Sequence, residues 1–128
     1  MFEYQAVTHN IHIRVKPEYA EDKSNFFLQK FVFIYHVTIQ NKSLETLQLM
    51  RRSWLIKDNI GDMYEVNGEG VVGKQPIIRP GEQFTYQSYC VLKSPSGSME
   101  GYYEMISETQ QVYRILIPKF HLRSHSLN

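Results

Sequence analysis

The stretch Gly68-Glu69-Gly70-Val71-Val72-Gly73 spells G-x-G-x-x-G, the spacing with which a strand-to-helix turn holds a dinucleotide pyrophosphate. Gly68 to Lys74 also overlays G-x-x-x-x-G-K, the frame of a P-loop. Both chemistries need a helix to follow at once, because its unpaired N-terminal amides and its dipole bind the phosphates. Lys74-Gln75-Pro76-Ile77-Ile78-Arg79-Pro80 follows instead, and its prolines remove backbone donors that such a helix would need. Gln75 stands where a P-loop requires a Ser or Thr hydroxyl for Mg²⁺. The ordinary dinucleotide and nucleotide-hydrolase readings therefore fail. The loop can still aim successive amides at an anion, with Lys74 and Arg79 adding charge, since a backbone nest needs no helix. The bland reading gives the glycines positive φ in a long inter-strand crossing that Val71 and Val72 pin to the core. A partner-contacting loop is a third reading.

Other reactive side chains form no catalytic set. Arg51-Arg52 lies beside Trp54, and on a strand neighbouring arginines face opposite ways. One can then support the core edge while the other meets solvent or a carboxylate partner. Cys90 alternates with Phe84, Tyr86 and Ser88, which reads as a small buried hydrophobe rather than a nucleophile, because no base accompanies it. His9 and His12 fall on opposite faces of a strand and do not share a metal. His121 and His125 flank Leu122-Arg123-Ser124 and would meet only if that tail became helical. Asp58 and Asp62 flank a turn, where acidic residues are expected on structural grounds. No metal site, no cofactor and no enzymatic activity are expected.

The chain has 128 residues, 42% hydrophobic and 21% charged, enough for one core and too few for two ordinary domains. Lys and Arg total 14 against 13 Asp and Glu, a formal charge of +1, which disfavours nucleic acid as the main partner. A single cysteine rules out an internal disulfide and a Cys-based zinc site, and fits a reducing compartment. Met1-Phe2-Glu3-Tyr4-Gln5 has no basic or apolar region of a signal peptide, and the apolar run Phe31–Val37 is far below the ~20 residues of a membrane span. A cytoplasmic protein is expected.

Hydrophobic periodicity says what holds these residues in place. Ile11, Ile13 and Val15 alternate with His12, Arg14 and Lys16 as in a half-buried strand. The alternation over Leu28–Gln40 is the strongest in the chain, and both of its faces are apolar at the start, as in a central strand. Leu44–Asp58 reads as a strand, with a helix capped by Ser43 over 44–52 as the alternative. Met63–Val66, Glu82–Val91, Ser98–Ile106 and Gln111–Pro118 complete the set, separated by turns at Asp58–Asp62, Pro80-Gly81, Ser94–Gly97 and Ser107–Gln110. Residues 67–76 read as a glycine-rich loop and 119–128 as a frayed tail. About seven to nine short strands at turn spacings of ~8–12 residues indicate an all-β, antiparallel sandwich of immunoglobulin or fibronectin-III type occupying residues 1–128, with an eight-stranded barrel as runner-up. Trp54 suits the core between the sheets. Sandwich edges can pair, so a homodimer is a further expectation.

Several blocks in order carry a resemblance: Tyr35-His36-Val37-Thr38-Ile39-Gln40-Asn41, Arg51-Arg52-Ser53-Trp54-Leu55-Ile56, and Gly68 through Pro76. They continue with Pro80-Gly81-Glu82, Ser94-Pro95-Ser96-Gly97-Ser98-Met99, Gly101-Tyr102-Tyr103-Glu104-Met105 and Ile117-Pro118-Lys119-Phe120-His121-Leu122. From Phe31 to Leu122 the chain resembles the ApaG family. The resemblance implies a fibronectin-III-like sandwich with no established enzymatic activity. It also carries associations with cobalt and magnesium efflux by name and with diadenosine tetraphosphate hydrolysis by gene neighbourhood. Together with the residues, it implies a non-catalytic binding module. Such a module would recognise a protein partner or a small anion through Gly68, Gly70, Val71, Val72, Gly73, Lys74, Gln75 and Pro76, supported by Arg51, Arg52, Trp54 and Arg79. The alternatives are an accessory role in divalent-cation homeostasis or efflux, and pyrophosphate or nucleotide binding at the glycine loop.

Overall fold

The computed structural model describes residues 2–124. Nine strands run in chain order: β1 Tyr4–Thr8, β2 Ile11–Tyr19, β3 Phe31–Asn41, β4 Leu47–Asp58, β5 Met63–Glu69, β6 Ile77–Ile78, β7 Gln83–Leu92, β8 Ser96–Ser107 and β9 Val112–Arg123. They form two antiparallel sheets, one ordered β1-β2-β3-β7 and the other β5-β4-β8-β9, with β6 added against β4. This is an immunoglobulin or fibronectin-III-like sandwich, in agreement with the strand pattern; the two separate sheets exclude the barrel.

Alternation builds the core. Ile11, Ile13 and Val15 of β2, Phe33, Tyr35, Val37 and Ile39 of β3, and Leu92 of β7 face Leu47, Leu49, Trp54, Met99, Tyr103, Met105, Ile115 and Phe120 from the other sheet. Each large side chain taken fully from water contributes ~1.5–3 kcal/mol. Trp54 sits at the centre, with its ring edge-on to Tyr35 at 5.4 Å and to Phe120 at 5.9 Å.

Two irregularities break the period of two. In β4 the register to β8 shifts between Leu49 and Arg51, so Met50 is an extra residue. Leu47 and Leu49 point inward before this β-bulge, and Trp54, Ile56 and Asp58 point inward after it. The same shift turns Arg52 toward the interior and leaves Arg51 exposed. In β9 the register shifts across Pro118 and Lys119, opposite Glu100, and the buried positions move from Ile115 and Ile117 to Phe120 and Leu122.

The second bulge corrects the reading of 119–128 as a tail. Residues 119–123 continue β9, and Phe120 and Leu122 are wholly buried. Strict alternation alone would stop the strand at Pro118. His125 lies outside the described residues. The helix over 44–52 does not form: Leu47 pairs with Ile78 and Ser107, and the Ser43 hydroxyl serves a turn with Asn41 and Glu45 instead of capping. The sequence pattern also missed β1, whose side chains are only half-buried and whose hairpin to β2 turns on His9 and Asn10, both at positive φ. Among the described residues, no helix is long and apolar enough to cross a membrane.

Candidate functional site

The glycine-rich segment is a strand end plus a tight turn. Gly68 and Glu69 belong to β5 and pair with Arg52 and Arg51. The Gly70 amide donates to the Met50 carbonyl at 2.9 Å, and the Gln75 side-chain amide donates to the same carbonyl at 3.0 Å. The carbonyl of the bulged residue thus anchors both arms of the loop. The Leu49 amide adds a bond to the Pro76 carbonyl at 3.0 Å. Between the arms, the Val71 and Lys74 amides donate to each other's carbonyls at 2.8 and 2.9 Å, which closes a two-residue turn at Val72-Gly73. Positive φ at both turn residues, 44° and 79°, matches the left-handed turn that suits a hairpin. Glycine accepts that backbone freely, but a β-branched valine there costs ~1–2 kcal/mol. Val72 is nevertheless 52% exposed, so core packing does not repay the strain in full.

Beneath this turn the open side of the sandwich forms a cleft of ≈ 270 Å³ between the edge strands β5 and β7. Arg52, Trp54, Tyr35, Tyr86, Ser88 and the Val71-Val72-Gly73 turn border it, together with Glu69. The Arg52 Nη1 donates to the Glu69 carbonyl at 3.0 Å and the Gly70 carbonyl at 2.9 Å. A Cβ at position 68 would stand 2.8–2.9 Å from the guanidinium atoms, so only glycine lets the group lie against the backbone there. Among the described residues, Arg52 makes no ion pair.

The phenols near Arg52 are held neutral. Burial pushes the Tyr35 phenol up, against the smaller downward pulls of Ser88 and of the Arg52 charge. Burial does the same to Tyr86 and to Tyr103 behind it; the hydroxyls of these two residues bond to each other. The cleft therefore offers one fixed cation, hydroxyl donors and aromatic walls, a set suited to a carboxylate or phosphate group.

Of the residues singled out from sequence, Arg52, Trp54, Val71, Val72 and Gly73 border the cleft, while Gly68 and Gly70 shape it. Lys74, Gln75 and Pro76 lie on the far arm of the turn and outside the lining; Gln75 and Pro76 stitch the loop to β4. Arg51 is exposed on the opposite face of β4. Arg79 pairs with Glu82 at 3.8 Å in the turn before β7. Tyr35, Tyr86 and Ser88 were missed as site residues. Their inward parity on β3 and β7 was readable, but nothing in the pattern said that this stretch of interior opens to solvent.

The remaining candidates are placed as follows. Cys90 is buried, and burial pushes its thiol up to about 12, away from nucleophilic use at neutral pH. Asp58 is buried, not a solvated turn residue: its carboxylate accepts the Lys93 amide at 2.7 Å and the Ser94 hydroxyl. Among the described residues, no group of three or more His, Cys, Asp and Glu side chains could hold a metal ion.

A family model described as ApaG domain matches residues 21–107. The chain is 47% identical over 121 residues to Protein ApaG of Parvibaculum lavamentivorans, covering 94% of this chain and 93% of that protein. It is 45% identical over 121 residues to Protein ApaG of Rhodospirillum centenum, with the same 94% and 93% coverage. Among solved structures, the putative ApaA protein from Bordetella pertussis aligns with a TM-score of 0.87 at 35% identity, covering 93% of this chain and 97% of that one.

Proposed function

The chain belongs to the ApaG family, and we propose that it is a non-catalytic binding module whose cleft under the Val71–Gly73 turn receives an anionic group, on a small molecule or on a protein segment, at Arg52. The observation that carries this reading is the Arg52 guanidinium. It is half-buried, fixed on one side by two loop carbonyls, and without a carboxylate partner among the described residues. A cation held in this way is set up for a ligand that brings the counter-charge. The aromatic walls lower the local dielectric and strengthen that contact.

The amides at Gly70, Val71 and Lys74 already donate within the protein. Recognition of pyrophosphate would thus rest on Arg52 and the Val72 and Gly73 amides instead of a full nest. Glu69, which also borders the cleft, would favour ligands that carry a donor beside the anion.

Trp54 is the sole tryptophan and borders the cleft, so its emission reports occupancy. Titration with pyrophosphate is expected to change that emission and to shift the Val72 and Gly73 amides. Arg52→Gln should weaken binding roughly 10- to 100-fold, the loss of one charged hydrogen bond. Unmoved amides at millimolar pyrophosphate and at millimolar acetyl-glutamate would remove the reading. Parallel titrations with Co²⁺ and Mg²⁺ separate it from a direct role in divalent-cation homeostasis, since only the latter predicts shifts with metal alone.

A further inference from the structure

The outer face of the first sheet departs from the polar pattern of a solvated face. In register, Val32 of β3 stands opposite Val91 of β7, and Ile34 stands opposite Tyr89. These four residues floor a groove of ≈ 570 Å³ whose rim carries Lys23 and Lys30. Among the described residues no carboxylate lines it: Glu21 and Asp22 share a short 3-10 turn with Lys23 but lie outside the lining, and Glu18, opposite Ile34 on β2, pairs with His36. Neither lysine makes an ion pair among the described residues. The turn that ends at Lys30 also carries Phe26, Phe27 and Leu28, which are 72%, 94% and 74% exposed. Consecutive large apolar side chains left in water at this level mark an interaction surface.

The groove runs along an open sheet edge. β7 is the last strand of its sheet, and β3 occupies only one side of it. Which backbone groups face the other side can be read from Val32 and Val91. The Val32 amide and carbonyl are engaged by Ser24 and Ala20, on the side away from β7. Val91, its register partner, has its carbonyl reached by the Tyr64 hydroxyl of β5 at 3.5 Å, on the side away from β3. Alternate residues of a strand direct their backbone groups to the same side. Tyr89, Gln87 and Thr85 therefore present amides and carbonyls to the free edge, and their exposed side chains to the groove face.

We propose that β7 is a strand-addition site for an extended protein segment whose outward side chains combine an apolar residue with carboxylates. The apolar residue would lie against Tyr89 and Val91 and the carboxylates against Lys23 and Lys30, while main-chain bonds form at Gln87 and Tyr89. A second copy of this chain meets these demands less well. β7 contains no Asp or Glu, so pairing it with itself brings no counter-charge to the lysines. The proposal does not depend on the Arg52 cleft.

The probe is a blocked, strand-length peptide with serine at every second position and valine and glutamate alternating between them, set against its lysine-for-glutamate counterpart. The acidic peptide is expected to slow hydrogen exchange at the Gln87 and Tyr89 amides, and the basic one to leave them unchanged. Lys23→Glu with Lys30→Glu should weaken binding roughly tenfold, the combined effect of two reversed surface charges. Gln87→Pro removes an amide that points away from β3 and should abolish binding while the melting temperature stays near that of the parent. If Gln87→Pro does unfold the chain, the lysine pair still decides, because both residues are at the surface. Arg52→Gln should leave peptide binding intact even where it abolishes pyrophosphate binding. Unprotected Gln87 and Tyr89 amides at saturating peptide, or equal binding of both peptides, would overturn the proposal. So would self-association of the protein alone in sedimentation equilibrium that Gln87→Pro removes, since the edge would then serve a second copy.

Discussion

Gly68→Ala tests whether the guanidinium of Arg52 is held as described. The new Cβ would meet Nη1 at 2.8 Å and Cζ and Nη2 at 2.9 Å, well inside contact distance, while the backbone at 68 needs no positive φ. Alanine is therefore tolerated by the chain and opposed only by Arg52, whose flexible side chain can swing away. The swing breaks the bonds to the Glu69 and Gly70 carbonyls, each contributing about 1 kcal/mol at this half-exposed position. Against that loss, replacing glycine restricts the unfolded chain and returns about 0.4–1 kcal/mol. The net expectation is a destabilisation of about 1 kcal/mol with Arg52 present. With Arg52→Met, the clash and the bonds are both gone, and Gly68→Ala should stabilise by about 0.4–1 kcal/mol. The sign thus reverses between backgrounds, with a coupling of about 1.5–2 kcal/mol. Urea denaturation of the four proteins, read by Trp54 emission and by circular dichroism, measures it. Equal effects of Gly68→Ala in both backgrounds, within the ~0.3 kcal/mol scatter expected of uncoupled sites, would refute the reasoning.

Three further outcomes are expected. Val72→Asn places a residue that tolerates left-handed backbone where valine sits at φ 44°; it should stabilise the fold by about 0.5–1 kcal/mol, seen as a rise of ~2–4 °C in melting temperature, and a fall would show that Val72 packing outweighs the strain. Asp58→Asn keeps one acceptor but turns an NH₂ toward a neighbour, and the carboxylate now serves three donors, the Lys93 amide, the Ser94 hydroxyl and, at 3.5 Å, the Ile60 amide; the loss should be about 2–3 kcal/mol by denaturant titration. Cys90 makes stability fall at alkaline pH: its thiol is raised from 9.0 to about 12 by burial, so above pH 9 the unfolded chain sheds this proton while the folded chain keeps it. Stability is then lost by about 1.4 kcal/mol per pH unit from this group alone as pH rises from 9 toward 12. Cys90→Ala should reduce that slope by one proton, and an unchanged slope between the two proteins would contradict the buried placement.

The fold was legible because period-two alternation is enforced wherever one face of a strand is packed. Phe33, Tyr35, Val37 and Ile39 of β3 are the plainest case. The pattern failed where another interaction replaced alternation. Leu44–Met50 looked compatible with a helix because leucines and a possible Ser43 cap satisfy local rules, and the pairing of Leu47 and Leu49 with β8 is non-local information. β1 escaped notice because a half-exposed edge strand imposes little on its residues. Pro118 looked like an ending because the compensating residue pair, Pro118 and Lys119 opposite Glu100, exists only in the register with β8.

The site was legible in composition and not in arrangement, and one residue explains why. From Arg51-Arg52 the sequence gives two arginines on opposite faces, with no means of choosing between them. The extra residue at Met50 makes the choice: by adding one step to β4 it puts Arg52 and Trp54 on the inward parity already used by Leu47 and Leu49. Its carbonyl, freed from the regular ladder, then takes the Gly70 amide and the Gln75 side chain, fixing the loop over the arginine that the bulge has turned inward. The G-x-G-x-x-G spacing thus serves geometry other than pyrophosphate cradling. Gly68 admits the guanidinium, Gly70 lets the backbone close against Lys74, and Gly73 completes the turn. A bulge is locally costly in ladder bonds and is retained where it re-aims a side chain. Here it aims a cation into an aromatic cleft bordered by the edge strands β5 and β7. Deleting Met50 should restore strict alternation through β4 with Leu47, Leu49, Arg52 and Trp54 all still facing inward, because without residue 50 they fall on one unbroken period of two; what is lost is the carbonyl that takes the Gly70 amide and the Gln75 side chain. Leu47, Leu49 and Trp54, all buried to within 3%, keep their places, so the expected cost is that of the two loop bonds, about 1 kcal/mol each, less what one recovered ladder bond returns. The deletion thus separates the core from the loop: denaturant titration should show a loss of about 1 kcal/mol, while hydrogen exchange at the Gly70 amide should speed up as the turn over Arg52 loosens, and a collapse of the fold would show that the bulge serves the core as well.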